Sequence, residues 1–245
     1  MHYLEHATDR DTREIAATTT LSPAARHRSV ARWRQLVASG EAGSTGERPS
    51  AERPLEPREV ERLRGETGAR DATIVSLLAY AGLRPGELLA LRWRDVRRTA
   101  IRVDGRAQSI REHTSVGTIR EVGMLRPLSA DLAGWRTRGG ATDDELVIPG
   151  QDDRPWSESE WADWRRQVFR PAAKRTGLAP TTRPYDLRHT FAWLRLREGA
   201  SMAEVALETG YSPMTALEMY RPLADRARRA GLRLPCEAIA VARTT

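Results

Sequence analysis

Cysteine is scarce in this sequence, since Cys236 is the only one among 245 residues. A lone cysteine excludes an internal disulfide and argues against a metal site built on cysteine ligands. No apolar run approaches the roughly 18 residues that a membrane-spanning helix needs, so we expect no membrane partner. The N-terminus also lacks the basic and apolar regions of a signal peptide, which predicts a cytoplasmic protein.

Lysine is equally scarce, because Lys174 is the only lysine among 40 lysine and arginine residues. The formal net charge of +7 at pH 7 favours an anionic partner such as nucleic acid. A GC-rich coding bias explains most of the arginines at least as well. Charge alone therefore does not decide the partner.

The first 54 residues differ in character from the rest of the chain. Val30, Trp33 and Leu36 recur at helical spacing, and a stretch rich in glycine and proline follows them. This segment is roughly half as long as an independent four-helix domain would be. The sequence thus predicts a short helical segment with a linker over 1–54 and a larger domain over 55–245.

Local signals in the larger domain predict a mainly α fold with a small antiparallel β-sheet (α+β). Pro57 and Pro85 are suited to the first position of a helix, and a buried helix is expected over about 71–80. Between about 99 and 124 the apolar residues alternate with a period of two, which is typical of strands. A further short strand is expected over 146–148.

The C-terminal half carries clear helix-start signals. Ser157 with Glu160, and Ser201 with Glu204, form the spacing of capping boxes. Pro213 begins a later helix. The acidic residues at 143–145 and 152–153 match no calcium-loop spacing, so we expect a solvated edge and no metal site, and the sequence offers no cofactor site.

Two arginines and one tyrosine form the candidate site. Arg84 follows the turn residue Gly82 and precedes a helix, while Arg188 begins an apolar-periodic segment that Tyr220 follows about thirty residues later. This order makes sense if all three meet at one phosphate, which two guanidiniums can grip and a phenol oxygen can attack. The alternative for Arg84 is a surface arginine in a turn. Glu87 is expected to brace that turn or to orient Arg84.

Separate motifs in this order resemble the tyrosine recombinase (phage integrase) family, over about residues 55–222. One reads Gly-x-Arg-x-x-Glu-Leu and is followed by Leu-x-Trp-x-Asp-Val; another reads Arg-Pro-Tyr-Asp-Leu-Arg-His; the last is Gly-Tyr with a tyrosine nine residues on. The motifs begin at Gly82, Leu91, Arg183 and Gly210. The resemblance implies a helical catalytic domain with a three-stranded sheet and a truncated N-terminal DNA-binding region.

The resemblance also implies an activity and partners. Arg84 and Arg188 would clamp the scissile phosphate of double-stranded DNA, and Tyr220 would attack it to give a 3′-phosphotyrosyl intermediate. The family acts as a dimer or tetramer on paired sites, which implies a homo-oligomer on DNA. The segment after the tyrosine, here the tail to Thr245, would dock on a neighbouring protomer.

Several positions depart from the family pattern. Tyr185 replaces the histidine of the arginine box, Tyr211 replaces the second histidine, and the hairpin lysine that protonates the leaving oxygen is missing. Of the residues in the hairpin segment, His113 could act as that acid, or it could be a solvated loop histidine. His189 is usual in the family and is expected to be structural rather than catalytic. The arginines of the hairpin segment cannot serve as acids near neutral pH; they are Arg106, Arg111 and Arg120.

Three functions remain open on these observations. The first is a site-specific DNA recombinase. The second is a DNA-binding relative that has lost strand transfer, which the missing lysine and histidines favour. The third is an enzyme that uses the same fold on a small anionic substrate, because fold does not fix function.

Overall fold

A computed structural model of the chain describes residues 54–104, 119–211, 213–230 and 235–244. The predicted N-terminal helix and most of its linker lie outside these residues, and so does His113 with the rest of 105–118. The described residues fall into two compact units. One unit contains 54–191 together with 235–244, and the other contains 192–230.

The first unit is built around a buried helix. Helix α1 spans Pro57–Gly65 with proline at its first turn, as predicted, and α2 spans Ala69–Ala81. Every residue of α2 from Thr73 to Ala81 is buried. Helix α2 packs against α1 and against α4, which spans Arg126–Gly139. A helix that is apolar on all sides must lie inside a domain, which explains this central position.

A short helix and a two-stranded sheet follow α2. Helix α3 spans Pro85–Leu89, and strands β1 (Ala100–Val103) and β2 (Arg120–Gly123) pair antiparallel with Ile101 opposite Val122. The predicted small antiparallel sheet is confirmed. Within the described part of the chain it has two strands, where the resemblance implied three.

The strand expected over 146–148 is absent from the structure. Leu146 makes only an isolated antiparallel bridge with Arg92, although Leu146, Val147 and Ile148 are all buried. The reason is that the chain turns into a 3₁₀ turn at Trp93–Asp95 directly after Arg92, so the pairing cannot extend.

A longer helical rod follows, and it contains the expected capping box at Ser157. The rod comprises α5 (Glu158–Trp164), a wider π-type turn (Arg165–Phe169) and α6 (Arg170–Arg175). Its tryptophans Trp161 and Trp164 are buried and stacked on each other. This aromatic face belongs to the core.

The chain then enters α7, Asp186–Arg197, and the boundary between the units falls inside this helix, after Phe191. In the second unit, α8 (Met202–Thr209) begins with the predicted capping box and ends at Gly210. Helix α9 (Pro213–Ala230) carries Tyr220 and packs against α8. No described helix is both long and apolar enough to cross a membrane.

The C-terminal helix returns to the first unit. Helix α10 spans Pro235–Thr244, packs on α1 and α4 of its own chain, and buries Ile239. Arg243 donates to Glu61 (3.2 Å) and to Asp131 (2.7 Å). The tail thus packs within its own chain here, and its expected docking on a neighbouring protomer stays a prediction.

Candidate phosphate-binding site

Arg84 is held by the turn that precedes α3. It is the N-cap residue of that helix, and its backbone N–H donates to Glu87 Oε2 at 2.8 Å. Its side-chain Nη1 donates to Glu87 Oε1 at 2.9 Å. Glu87 therefore satisfies an otherwise open backbone donor at the helix start and also fixes the guanidinium, which is the bracing that sequence analysis expects.

Glu87 also binds a second arginine, Arg120 of β2. Arg120 donates to both carboxylate oxygens of Glu87, Nη1 to Oε1 and Nη2 to Oε2, each at 2.7 Å. Both side chains are buried, Arg120 being 10% exposed and Glu87 6%. This is the paired geometry in which a guanidinium binds a carboxylate most strongly.

Sequence analysis considered Arg120 only as a residue unable to donate a proton. The signal that could have placed it is the period of the strand, because residues two apart on a strand point to the same face. Val122, two residues after Arg120, is fully buried. Arg120 must then point inward as well, where a guanidinium needs a carboxylate partner.

Electrostatics show that three arginines surround Glu87. Burial alone would raise the pKa of Glu87, but Arg120, Arg84 and Arg188 together hold that pKa well below its ordinary value. The pKa of Arg120 is lowered by burial and by the positive charges of Arg188 and Arg84, against the opposing effect of Glu87. Glu87 is thus ionised throughout the physiological pH range.

Arg188 lies on the first turns of α7 and is fully buried. Its Nη1 donates to the carbonyl oxygen of Gly82. Gly82 ends α2 in the left-handed conformation (φ 58°), and a Cβ at this position would lie 2.7 Å from Cγ of Phe191. Only glycine fits there, because the backbone conformation and the neighbouring ring both exclude a side chain.

Tyr185 and His189 pack against each other beside Arg188. Their rings meet edge to face with centroids 5.5 Å apart. Burial, and next the charge of Arg188, lower the pKa of His189 to about 4. His189 is therefore neutral near pH 7, which suits the structural role expected of it.

The other candidate tyrosines lie in the second unit. Tyr211 follows α8, and Tyr220 is fully buried on α9. Their ring centroids are 5.9 Å apart with an interplanar angle of 64°. In the same unit Arg195 forms a buried ion pair with Glu208. The helix turn ending at Gly210 therefore brings the two tyrosines into contact.

The candidate residues thus fall into two sets, one in each unit. Arg84, Glu87 and Arg188 cluster in the first unit with Arg120, while Tyr211 and Tyr220 pair in the second. Among the described residues, no group of three or more His, Cys, Asp or Glu side chains is placed to hold a metal ion. Within the described residues, the guanidiniums of the first unit form a positively charged cluster, and such a cluster can bind an anion.

The chain is similar to known proteins of one family. The sequence model of the phage integrase family matches residues 54–226. The tyrosine recombinase XerC of Xanthomonas axonopodis pv. citri (strain 306) is 29% identical over 156 residues, covering 64% of this chain and 48% of that protein. The tyrosine recombinase XerD of Pseudomonas aeruginosa is 26% identical over 173 residues, covering 66% and 52%. The chain thus spans about half the length of the curated relatives it matches.

Solved structures show the same likeness. The crystal structure of XerA recombinase superposes with a TM-score of 0.58 and 26% identity, over 76% of this chain and 64% of that one. The Tn1549 transposon integrase, in complex with circular intermediate DNA, superposes with a TM-score of 0.55 and 16% identity, over 92% and 86%. At 16% identity, the similarity to the Tn1549 integrase shows a shared fold only.

Proposed function

The chain belongs to the phage integrase family, and on that premise we propose that it is a site-specific DNA recombinase. It would cut and rejoin double-stranded DNA through a phosphotyrosyl intermediate. Because recombination joins paired sites, the active form would be a homo-oligomer assembled on DNA. The net charge of +7 supports an anionic partner.

The observation that carries the proposal is the clustering of two arginines that lie far apart in the sequence. Arg188 is bound to the carbonyl of Gly82, and Arg84 follows that residue in the same turn. Both arginines influence the pKa of Glu87. A site with two guanidiniums can bind the nonbridging oxygens of one phosphate and stabilise the added charge of a five-coordinate transition state.

The proposed reaction needs neither a metal nor an activated water. The Oη of Tyr220 attacks phosphorus, the bond from that oxygen to phosphorus forms, and the bond from phosphorus to the 5′ oxygen breaks. The phenol loses a proton and the leaving 5′ oxygen gains one. Attack by a 5′ hydroxyl reverses the step and rejoins the strand. Arg188 and Tyr220 are both 0% exposed, so binding of DNA must be accompanied by a movement that uncovers them.

This chain departs from its family in the residues available to protonate the leaving 5′ oxygen. Lys174, the only lysine, lies on α6 rather than in the hairpin segment. His189 is a poor acid, since its pKa of about 4 leaves it unprotonated near pH 7. We propose that Tyr211 and Tyr185 donate hydrogen bonds in place of the two family histidines, and His113 stays a candidate for the acid.

The same departure favours a second candidate function. A relative that binds DNA but no longer transfers strands would keep the arginine cluster and the positive net charge, yet would not need a proton donor. This protein would bind duplex DNA with a steep dependence on salt, because phosphate contacts release counterions. It would form no covalent link to DNA.

Covalent trapping on nicked suicide DNA separates the two functions. Candidate substrates come from the sequence flanking the gene, and wild type is compared with Tyr220→Phe on a denaturing gel. Tyr80→Phe is the matched control, since it also removes a buried phenol hydroxyl but lies on α2, outside the candidate residues. We expect a shifted band in wild type and Tyr80→Phe that is absent from Tyr220→Phe.

Two other results would redirect the assignment. Salt-dependent duplex binding without any shifted band would identify the DNA-binding relative. A folded protein that neither binds duplex DNA nor forms the band would contradict both functions and leave a small anionic substrate as the remaining alternative.

A further inference from the structure

Arg84 and Arg188, the two arginines proposed to bind the phosphate, are called here the phosphate clamp. The carboxylate of Glu87 lies beside this clamp and is itself paired with Arg120. Glu87 braces Arg84, but its negative charge opposes the binding of an anion at that same arginine. Both oxygens of Glu87 accept from Arg120 at 2.7 Å. Arg120 therefore offsets the charge of Glu87 without removing the brace.

We propose that Arg120 is a positioning residue of the clamp, which acts through Glu87 to keep the arginine pair attractive to phosphate. The inference rests on the proposed function, because it takes the ligand of Arg84 and Arg188 to be a phosphate group. Arg120 does not itself contact the ligand. Its two terminal nitrogens bind Glu87, and its side chain is only 10% exposed.

The charges of the cluster explain the effect. Three guanidiniums and one carboxylate leave two net positive charges, as many as two arginines without an acid would provide. Loss of Arg120 leaves one, and loss of the Glu87 charge leaves three. At a separation of about 7 Å and an effective dielectric constant of about 20, one unit charge changes the binding of a monoanion by more than tenfold before salt screening.

The position of Arg120 also connects this role to the missing lysine. Arg120 begins β2 and lies in the hairpin segment, where the family carries its lysine. A guanidinium cannot supply the proton that the lysine gives. It can keep a positive charge beside the phosphate clamp, and it does so in a buried pair that fixes its position.

Binding of inorganic phosphate to the full chain tests the inference without any need for DNA cleavage. Titration calorimetry would compare wild type with Arg120→Met, Glu87→Gln, the double variant Arg120→Met/Glu87→Gln, and Arg120→Lys. Arg84→Met defines the relevant signal, since only phosphate binding that this variant removes belongs to the clamp. Thermal unfolding of each variant confirms that it is folded.

The expected changes have opposite signs. Phosphate affinity falls on the order of tenfold in Arg120→Met and rises by a similar factor in Glu87→Gln. The double variant returns to within about threefold of wild type, and so does Arg120→Lys, which keeps the charge. If a single variant does not fold, the phosphate affinity of the double variant can still be measured, because the double variant leaves neither charge of the pair buried alone.

A purely structural role predicts a different pattern. Loss of stability in Arg120→Met with unchanged phosphate affinity would overturn the inference. So would a wild type with no phosphate binding that depends on Arg84, or a double variant as weak as Arg120→Met. Failure of DNA strand transfer is a separate outcome, since it leaves the sign pattern of phosphate binding intact.

Discussion

Arg188 donates a hydrogen bond from Nη1 to the carbonyl oxygen of Gly82, in the turn that positions Arg84. This contact joins the first turns of α7 to the end of α2. The position of each arginine thus depends on the same short turn. A change in the backbone conformation of Gly82 would therefore displace both guanidiniums.

Arg188→Lys tests the need for a forked side chain at this position. Lysine keeps the charge, but it cannot bind the Gly82 carbonyl and grip a phosphate in two places as a planar guanidinium can. We expect the rate of covalent trapping to fall about a hundredfold or more, while duplex binding changes little. Arg183→Lys is the control, because the side chain of Arg183 is 39% exposed. Equal rates in wild type and Arg188→Lys would exclude the proposed clamp.

Gly82→Ala should destabilise the first unit strongly. Alanine in the left-handed conformation costs about 1–2 kcal/mol, and the approach to Phe191 adds an overpacking cost of about 1–3 kcal/mol. Gly140→Ala is a matched control, since Gly140 also ends a helix with a positive φ (62°) but has no atom within 4 Å of an added Cβ.

The free energy of unfolding of both variants is measured by urea denaturation. We expect Gly140→Ala to lose about 1 kcal/mol and Gly82→Ala clearly more. Equal losses would show that the contact with Phe191 carries no cost.

The elements that local sequence signals determine were predicted well. Pro57 and Pro85 begin helices, and the capping boxes at Ser157 and Ser201 begin two more. Each of these signals acts through hydrogen bonds or backbone angles within one turn of a helix. Neighbouring residues in the sequence are therefore sufficient to identify them.

Contacts between distant segments were not predictable in the same way. The pairing of Glu87 with Arg120 joins a helix to a strand, and no local pattern identifies which of many arginines a buried carboxylate will meet. The failed strand at Leu146 has a similar origin, because its length depends on where the partner segment at Arg92 turns away.

Removal of Arg195 should destabilise the second unit. Arg195 donates to both oxygens of Glu208, at 2.9 and 3.1 Å, and the Glu208 side chain is only 2% exposed. Arg195→Met deprives a buried carboxylate of its guanidinium, which typically costs about 3–5 kcal/mol. Arg166→Met is the control, because Arg166 pairs with Asp163 on the surface and should lose less than about 1 kcal/mol.

The double variant Arg195→Met/Glu208→Gln should recover much of the stability lost in Arg195→Met, since it removes the buried charge as well. Urea denaturation of the single and double variants measures the coupling energy. Additive losses would mean that the pair contributes nothing beyond its two separate side chains.

The low pKa of His189 predicts that acid destabilises the fold. Burial, followed by the charge of Arg188, lowers this pKa to about 4 in the folded protein, whereas an unfolded histidine titrates near 6.5. The unfolded chain therefore binds the proton first as pH falls from 6.5 to 4, and the free energy of unfolding decreases over that window. The loss attributable to His189 should reach about 1.4 kcal/mol at pH 5.5 and roughly 3 kcal/mol below pH 4.

His189→Gln removes this titration, so its stability should change less than that of wild type between pH 8 and 5.5, a range above the ordinary carboxylate pKa values. His113→Gln is the control for the loss of a histidine elsewhere in the chain and should follow the wild-type curve. Unfolding by urea at each pH gives the three curves. Parallel curves for wild type and His189→Gln would mean that His189 keeps an ordinary pKa in the folded protein, and a protonated His189 beside Arg188 would then become a candidate for the missing acid.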